Sequence, residues 1–185
     1  MPNIMQDRLT TTKKITMLGL FTALSVAIGF ICKTYLTFGA IRITFENIPI
    51  ILSGILYGPF AGAIIAVVSD TLSCLTSPNP ALNPIISVGA MSIGVISGIV
   101  SRHLFNKKLL LKITFAVFLS HFIGSVIIKS IGLFLFWRYE LPVLALRIPV
   151  YLLIASCESA IIYLIMKNKG LVSLFYSRTK NTRKK

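Results

Sequence analysis

The side chains able to do chemistry are few, and they stand in apolar surroundings. Glu46 precedes one apolar run, Asp70 and Glu158 fall inside two others, and His121 and Lys129 share a further one. An unpaired charge at such a depth costs at least about 2.5–3.5 kcal/mol, so Asp70 and Glu158 must each meet a partner, face a cavity or carry a proton. Lys129 is the counter-ion available to either, and sequence leaves open which carboxylate it meets. Glu46 suits the start of the following helix, where the helix dipole favours a negative charge. His121, beside Ser120, is open between a packed, hydrogen-bonded role and a site-lining one, whereas His103 sits in a basic turn as a solvated residue.

A second group sets aromatic planes beside guanidinium groups. Phe134-Leu-Phe-Trp137-Arg138-Tyr139-Glu140-Leu-Pro142 closes one apolar run and Leu144-Ala-Leu-Arg147-Ile-Pro149-Val-Tyr151 opens the next, so both belong to one membrane face. An interfacial belt accounts for Trp137 and Tyr139 alone. The sharper reading is a pocket for a flat, anionic molecule, with Trp137 stacking on it and Arg147 forming a bidentate bond to a carboxylate or ring carbonyl. Arg147 is preferred to Arg138 because it starts a span beside Pro149, where rigid backbone can hold it. Tyr151 and Glu158 extend the candidate set along the same run. Asn83 joins it as an amide, although it serves equally as a turn residue before Pro84. Phe38 belongs to Tyr35-Leu-Thr-Phe-Gly39-Ala-Ile-Arg42, a segment able to fold over such a pocket as a gate.

No GxxxxGK[ST] loop, HExxH or GxSxG occurs, so the chain has no means of hydrolysing ATP by itself and no recognised catalytic set. Cys32, Cys74 and Cys157 lack CxxC spacing and read as free thiols without a metal. These absences point to binding without a cofactor. An intramembrane enzyme would need a nucleophile and base on facing helices. A small ion-coupled carrier would instead use Asp70, Lys129 and Glu158 as a relay.

The elements that must position these groups are membrane helices. With 55% apolar and 13% charged residues and a mean hydropathy of +0.85, the chain cannot cover a soluble globule with polar surface. Its apolar runs approach the roughly 20 residues that span a bilayer. Six spans are predicted, over 15–32, 48–57, 60–75, 85–100, 109–136 and 146–166. The second is short and closed by Gly58-Pro59, and the fifth is long enough to tilt or protrude. The proline-rich Ser77–Pro84 is a turn, and the first run lacks the marks of a cleaved signal. The expectation is therefore an all-α integral membrane protein, one six-helix bundle over 1–185.

Charge sets its orientation. With both termini cytoplasmic, fourteen Lys/Arg lie inside and only Lys33, Arg42, Arg138 and Arg147 outside, with Lys129 within span five. The net charge of +14 then needs no nucleic acid. The short N-terminal segment and the basic tail from Lys167 onward read as cytoplasmic anchors to anionic lipid.

Small residues recur at packing intervals, Gly19-x-x-x-Ala23-x-x-x-Ala27 in span one and Ala90-x-x-x-Gly94-x-x-x-Gly98 in span four. Together with Ile43-x-Phe45-Glu46-Asn47-Ile48-Pro49, Gly58-Pro59-x-x-Gly62 and Asp70, the chain resembles the substrate-binding subunits of energy-coupling-factor (ECF) vitamin transporters, most closely the folate-specific kind. That resemblance implies a high-affinity vitamin binder in the cell membrane that is not itself an enzyme. It implies partners too: a transmembrane coupling subunit docked on the Gly19, Ala23 and Ala27 face, and two cytoplasmic ATPases that drive reorientation of the subunit to carry substrate inward. A flat, donor-rich pterin with a dianionic tail fits a pocket of aromatic walls, Arg147 and amides. Riboflavin or another vitamin is the nearest alternative substrate.

Overall fold

Apolar residues dominate every helix, and what separates the helices is proline, glycine and charge. In the computed structural model, residues 11–38, 41–76, 83–103 and 108–175 are described. Helix α1 (Thr11–Tyr35) leads into a two-residue antiparallel ladder, β1 (Thr37–Phe38) with β2 (Ile41–Arg42), in which Thr37 faces Arg42. Helices α2 (Asn47–Tyr57) and α3 (Pro59–Leu75) are joined through Gly58, whose φ of +100° suits glycine, while Pro59 supplies a preset φ for the first turn of α3. Helix α4 (Pro84–His103) follows, then α5 (Leu109–Ser120), a π-helical stretch (His121–Ile128) and α6 (Lys129–Trp137) as one continuous run. A short α7 (Leu141–Ala145) precedes α8 (Arg147–Lys167) and α9 (Lys169–Phe175).

Among the described residues, Thr12–Tyr35, Pro84–His103, Leu109–Trp137 and Leu141–Lys167 are long and apolar enough to cross a membrane, and α2 and α3 are shorter apolar helices. Large apolar side chains such as Phe60, Leu153 and Phe122 point outward, as a lipid-facing surface requires. The protein is a multi-pass, helical membrane protein. The predicted fifth span extends over 29 residues, roughly 43 Å at 1.5 Å per residue, longer than a hydrocarbon core of about 30 Å. Its middle is π-helical, and the last span is flanked by the short helices α7 and α9, which hydropathy alone does not separate from it. The tail beyond Phe175 and most of the Ser77–Pro84 turn lie outside the described residues.

Lipid offers helices no hydrophobic drive to associate, so close packing must do it. The α2–α3 pair crosses α4 at glycines: a Cβ on Gly62 would come within 2.6 Å of the Gly94 carbonyl oxygen, and one on Gly54 within 2.6 Å of that same atom. The small face of span four is therefore consumed inside the bundle, where Ala90, Gly94 and Gly98 are buried. Around the crossing, Ile51, Ile65, Ile93, Ile113 and Ile162 lose essentially all exposure. On α1 the pattern is opposite, since Ala23 and Ala27 are exposed and a Cβ on Gly19 would meet nothing within 4 Å.

Gly94→Ala should force the α3 and α4 backbones apart and cost about 1–3 kcal/mol by overpacking, whereas Gly19→Ala should leave stability unchanged or slightly raised. Thermal unfolding in detergent measures both, and equal effects would refute a glycine-built crossing.

Candidate substrate-binding site

Two polar clusters occupy the interior. The first lies between the π-helical stretch and α8. His121 and Glu158 are both buried, with His121 Nε2 and Glu158 Oε2 2.5 Å apart, and His121 Nδ1 lies 3.1 Å from Ser125 Oγ. Nε2–H donates to the carboxylate; a neutral ring then accepts the Ser125 proton at Nδ1, and a charged ring donates to it. The imidazole also leans on Tyr151, ring centroids 5.7 Å apart.

Arg147 joins this cluster through a backbone irregularity. The Lys129 amide donates to the Gly124 carbonyl, five residues back, and so leaves unused the Ser125 carbonyl that an α-helix would have engaged. Arg147 Nη2 takes that carbonyl at 3.2 Å and also donates to Tyr151 Oη at 3.3 Å, with the guanidinium carbon 5.2 Å from the Tyr151 ring centroid. Among the described residues Arg147 Nε and Glu158 Oε1 have no hydrogen-bond partner. Against His121 and Tyr151 opens a groove of about 280 Å³, walled mainly by Phe115, Phe118, Phe122, Ile148 and Leu152.

The second cluster gathers residues from α1, α2, α3 and α6. Arg42 forms an ion pair with Glu46, and the Ser25 hydroxyl donates to the Glu46 carbonyl at 2.8 Å. Burial alone pushes the Glu46 carboxyl up, but Arg42, Lys129, Lys33 and the Thr44 hydroxyl outweigh it and hold it below the ordinary carboxylate value. Glu46 stands at the N-cap position of α2, where its charge suits the helix dipole, and instead of a side-chain cap bond it makes the ion pair with Arg42. Lys33 Nζ donates to the Ser73 carbonyl at 2.8 Å, in the last turn of α3, where a cation is favourable. The Ser87 hydroxyl donates to Asp70 at 2.6 Å. Lys129, expected to pair with Asp70 or Glu158, forms no ion pair with either among the described residues, because Glu158 is taken by His121.

Of the residues singled out from sequence, the fold brings Arg147, Tyr151 and Glu158 together. Trp137 stands apart, 44% exposed at the end of α6 with Phe136 as its ring neighbour, 6.4 Å between centroids. Asn83 is buried as the cap of α4: its Oδ1 accepts from the amides of Ile85 (2.9 Å) and Ile86 (3.4 Å), and its Nδ2 donates to the Gly132 carbonyl at 3.3 Å. The Phe38 side chain lies outside the described residues. Sequence reasoning did not select Ser125 or Asn47. Nothing in an apolar run marks Ser125 for its role, since that role arises from the π-helical register. All three cysteines are free, with Cys157 exposed on α8.

A multi-pass helical bundle with buried charges on facing helices is an architecture suited to membrane transport or binding. The chain matches the family of ECF transporter substrate-specific components over residues 13–168, and it belongs to that family. Its role is thus that of a substrate-binding subunit in transport. The fold is similar to that of a solved structure described as FolT bound with folic acid, at 21% identity and a TM-score of 0.63, over 89% of this chain and 95% of that one. Among curated proteins the sequence finds no match.

Asn83→Ala should remove the α4 cap and its tether to Gly132, lowering stability by about 0.5–2 kcal/mol, while Asn83→Ser should retain most of the cap. Unfolding of both variants in detergent checks this; an unchanged Asn83→Ala would deny Asn83 the capping role.

Proposed function

We propose that this protein is the folate-binding subunit of an ATP-driven vitamin importer of the cell membrane, crossing the bilayer six times with both termini cytoplasmic. The observation that carries the proposal is a buried guanidinium with a spare donor, Arg147 Nε, on the same helix as a buried carboxylate with a spare acceptor, Glu158 Oε1. A molecule with an anionic end and a ring edge rich in N–H donors complements both, and folate is such a molecule. Supporting it are the aromatic groove beside His121 and Tyr151, and a fold like that of the protein solved with folic acid. Trp137, exposed where α6 ends ahead of α7 and α8, is available to stack on a ligand entering from outside.

Delivery inward would require partners. The outward α1 face of Gly19, Ala23 and Ala27 supports docking on a transmembrane coupling subunit, because small side chains let a second helix approach closely. Two cytoplasmic ATPases would supply the energy, and reorientation of the whole subunit on its coupling partner would carry substrate inward.

Titration calorimetry with folate in detergent tests the binding site. Arg147→Ala should weaken binding by about 2–5 kcal/mol, with Arg147→Lys recovering only part, since an ammonium lacks the planar fork. Trp137→Ala should cost about 1–3 kcal/mol, by analogy with base stacking. Wild-type affinity in both folded alanine variants would move the site elsewhere, and tighter binding of riboflavin than folate would reassign the vitamin.

Ala27→Trp should abolish assembly with the coupling module, or uptake, while folate affinity of the isolated subunit stays unchanged. Loss of binding with assembly preserved would reverse that assignment.

A further inference from the structure

Lys129 is an ammonium buried to 8% exposure with no carboxylate directly on it among the described residues. Its surroundings show how the charge is balanced. Three carboxylates lie on neighbouring elements, Glu46 and Glu158 buried and Asp70 half-buried. Glu46 is held by Arg42 and Glu158 by His121, whereas the hydrogen bond recorded for Asp70 comes from the neutral Ser87 hydroxyl. Among the described residues Asp70 is thus the carboxylate without a cation in contact, and Lys129 is a buried ammonium without a carboxylate, while Lys33 and Arg147, also without one, donate to the Ser73 and Ser125 carbonyls. Both line one small cavity, together with Ser25, Glu46, Asn47, Ser69 and Ser73.

Asn47 gives the second, independent observation. Its amide is 1% exposed, faces that cavity, and has neither Nδ2 nor Oδ1 hydrogen-bonded. A buried amide in that condition forfeits about 1–3 kcal/mol of solvation for each unmet group unless something in the cavity satisfies it. The cavity's volume of about 10 Å³ is close to what one water needs, and far below any organic ligand. Charge and size decide between a water and an ion. Lys33, Arg42 and Lys129 already outnumber Glu46 and Asp70 around the cavity, so a bound cation would add to an excess of positive charge, and a space for one water-sized sphere is too small for a halide, whereas a water fits.

We infer that Lys129 and Asp70 form a water-mediated ion bridge across the bundle, in which one buried water is also hydrogen-bonded to the Asn47 amide. The bridge joins α2, α3 and α6, and its place is prepared by α4: a Cβ on Gly89 would come within 2.6 Å of Lys129 Cγ, so the bare glycine makes room for the lysine stem. Lys33 acts on Asp70 and Glu46 through space, but its ammonium donates to the Ser73 carbonyl and does not line the cavity, so the place beside Asn47 falls to Lys129.

Charge-pair rescue in the full chain, reconstituted in nanodiscs, tests the pairing. Lys129→Met and Asp70→Asn should each lower the Tm, by on the order of 10 °C, since each leaves its partner's charge unbalanced within the bundle. The double variant should recover at least half of that loss. The charge of Lys129 also reaches Glu46 and Glu158 through space, so Lys129→Met combined with Glu46→Gln or with Glu158→Gln serves as the comparison and should give no recovery. If the single variants fail to fold, return of monodisperse protein in the double variant is the same readout. Recovery with Glu46→Gln or Glu158→Gln in place of Asp70→Asn, or with none of the three, overturns the pairing. An experimental structure that shows ordered water should place a peak at hydrogen-bond distance from the Asn47 amide and Lys129 Nζ. A direct Lys129–Asp70 contact with no peak, or a peak that gives an anomalous signal after rubidium exchange, overturns the water.

Discussion

A charge inside hydrocarbon must find its compensation within the protein, and the architecture follows from that constraint. Glu46, Asp70, Lys129 and Glu158 are carried by different helices or by the segments that lead into them, with Arg147 on the same helix as Glu158, so satisfying each draws two or more elements together. The His121–Glu158 contact holds α8 against the π-helical stretch, and the Arg42–Glu46 pair closes the segment between the short β ladder and α2. These contacts do not add stability on the scale of a vacuum ion pair. Their larger effect is to penalise any arrangement in which a partner is missing, which selects one packing among many that would bury similar apolar area.

Close helix approach makes these contacts reachable. Gly54, Gly62, Gly94 and Gly98 let α2 and α3 meet α4 backbone to backbone, and Gly89 opens the space that the Lys129 stem fills. The π-helical stretch provides the complementary adjustment. One extra residue in the turn frees the Ser125 carbonyl and gives Arg147 a fixed acceptor, so a buried guanidinium is oriented by backbone before any ligand arrives. Preorganised in this way, the site spends less binding energy on ordering its own side chains.

Much of this was legible in the residues. Hydropathy located the apolar runs to within a few residues, because lipid demands long uninterrupted apolar helices and tolerates turns only at Pro, Gly and charge. The Gly58-Pro59 break between α2 and α3 stands where the sequence puts it. The Gly/Ala interval in α4 could be recognised as a packing face, yet the identical interval in α1 points outward, since spacing states that a face is small and not what lies against it. Asn83 shows the same limit: an amide before proline suits a cap and a ligand contact equally, and only the positions of the Ile85 and Ile86 amides distinguish them.

By itself the sequence determined the helical membrane class, the positions of the apolar helices and the family, because each depends on local composition or on short motifs that carry their own geometry. Tertiary structure alone decided the pairings. It gave Glu158 to His121 instead of Lys129, turned Glu46 to Arg42, left Trp137 at the surface and set Lys129 and Asp70 on one cavity with Asn47. The physical reason is that an ion pair or a cavity depends on the rotation and depth of two helices at once. Those quantities are fixed by glycine crossings and by a one-residue change of helical register, neither of which alters hydropathy or charge along the chain.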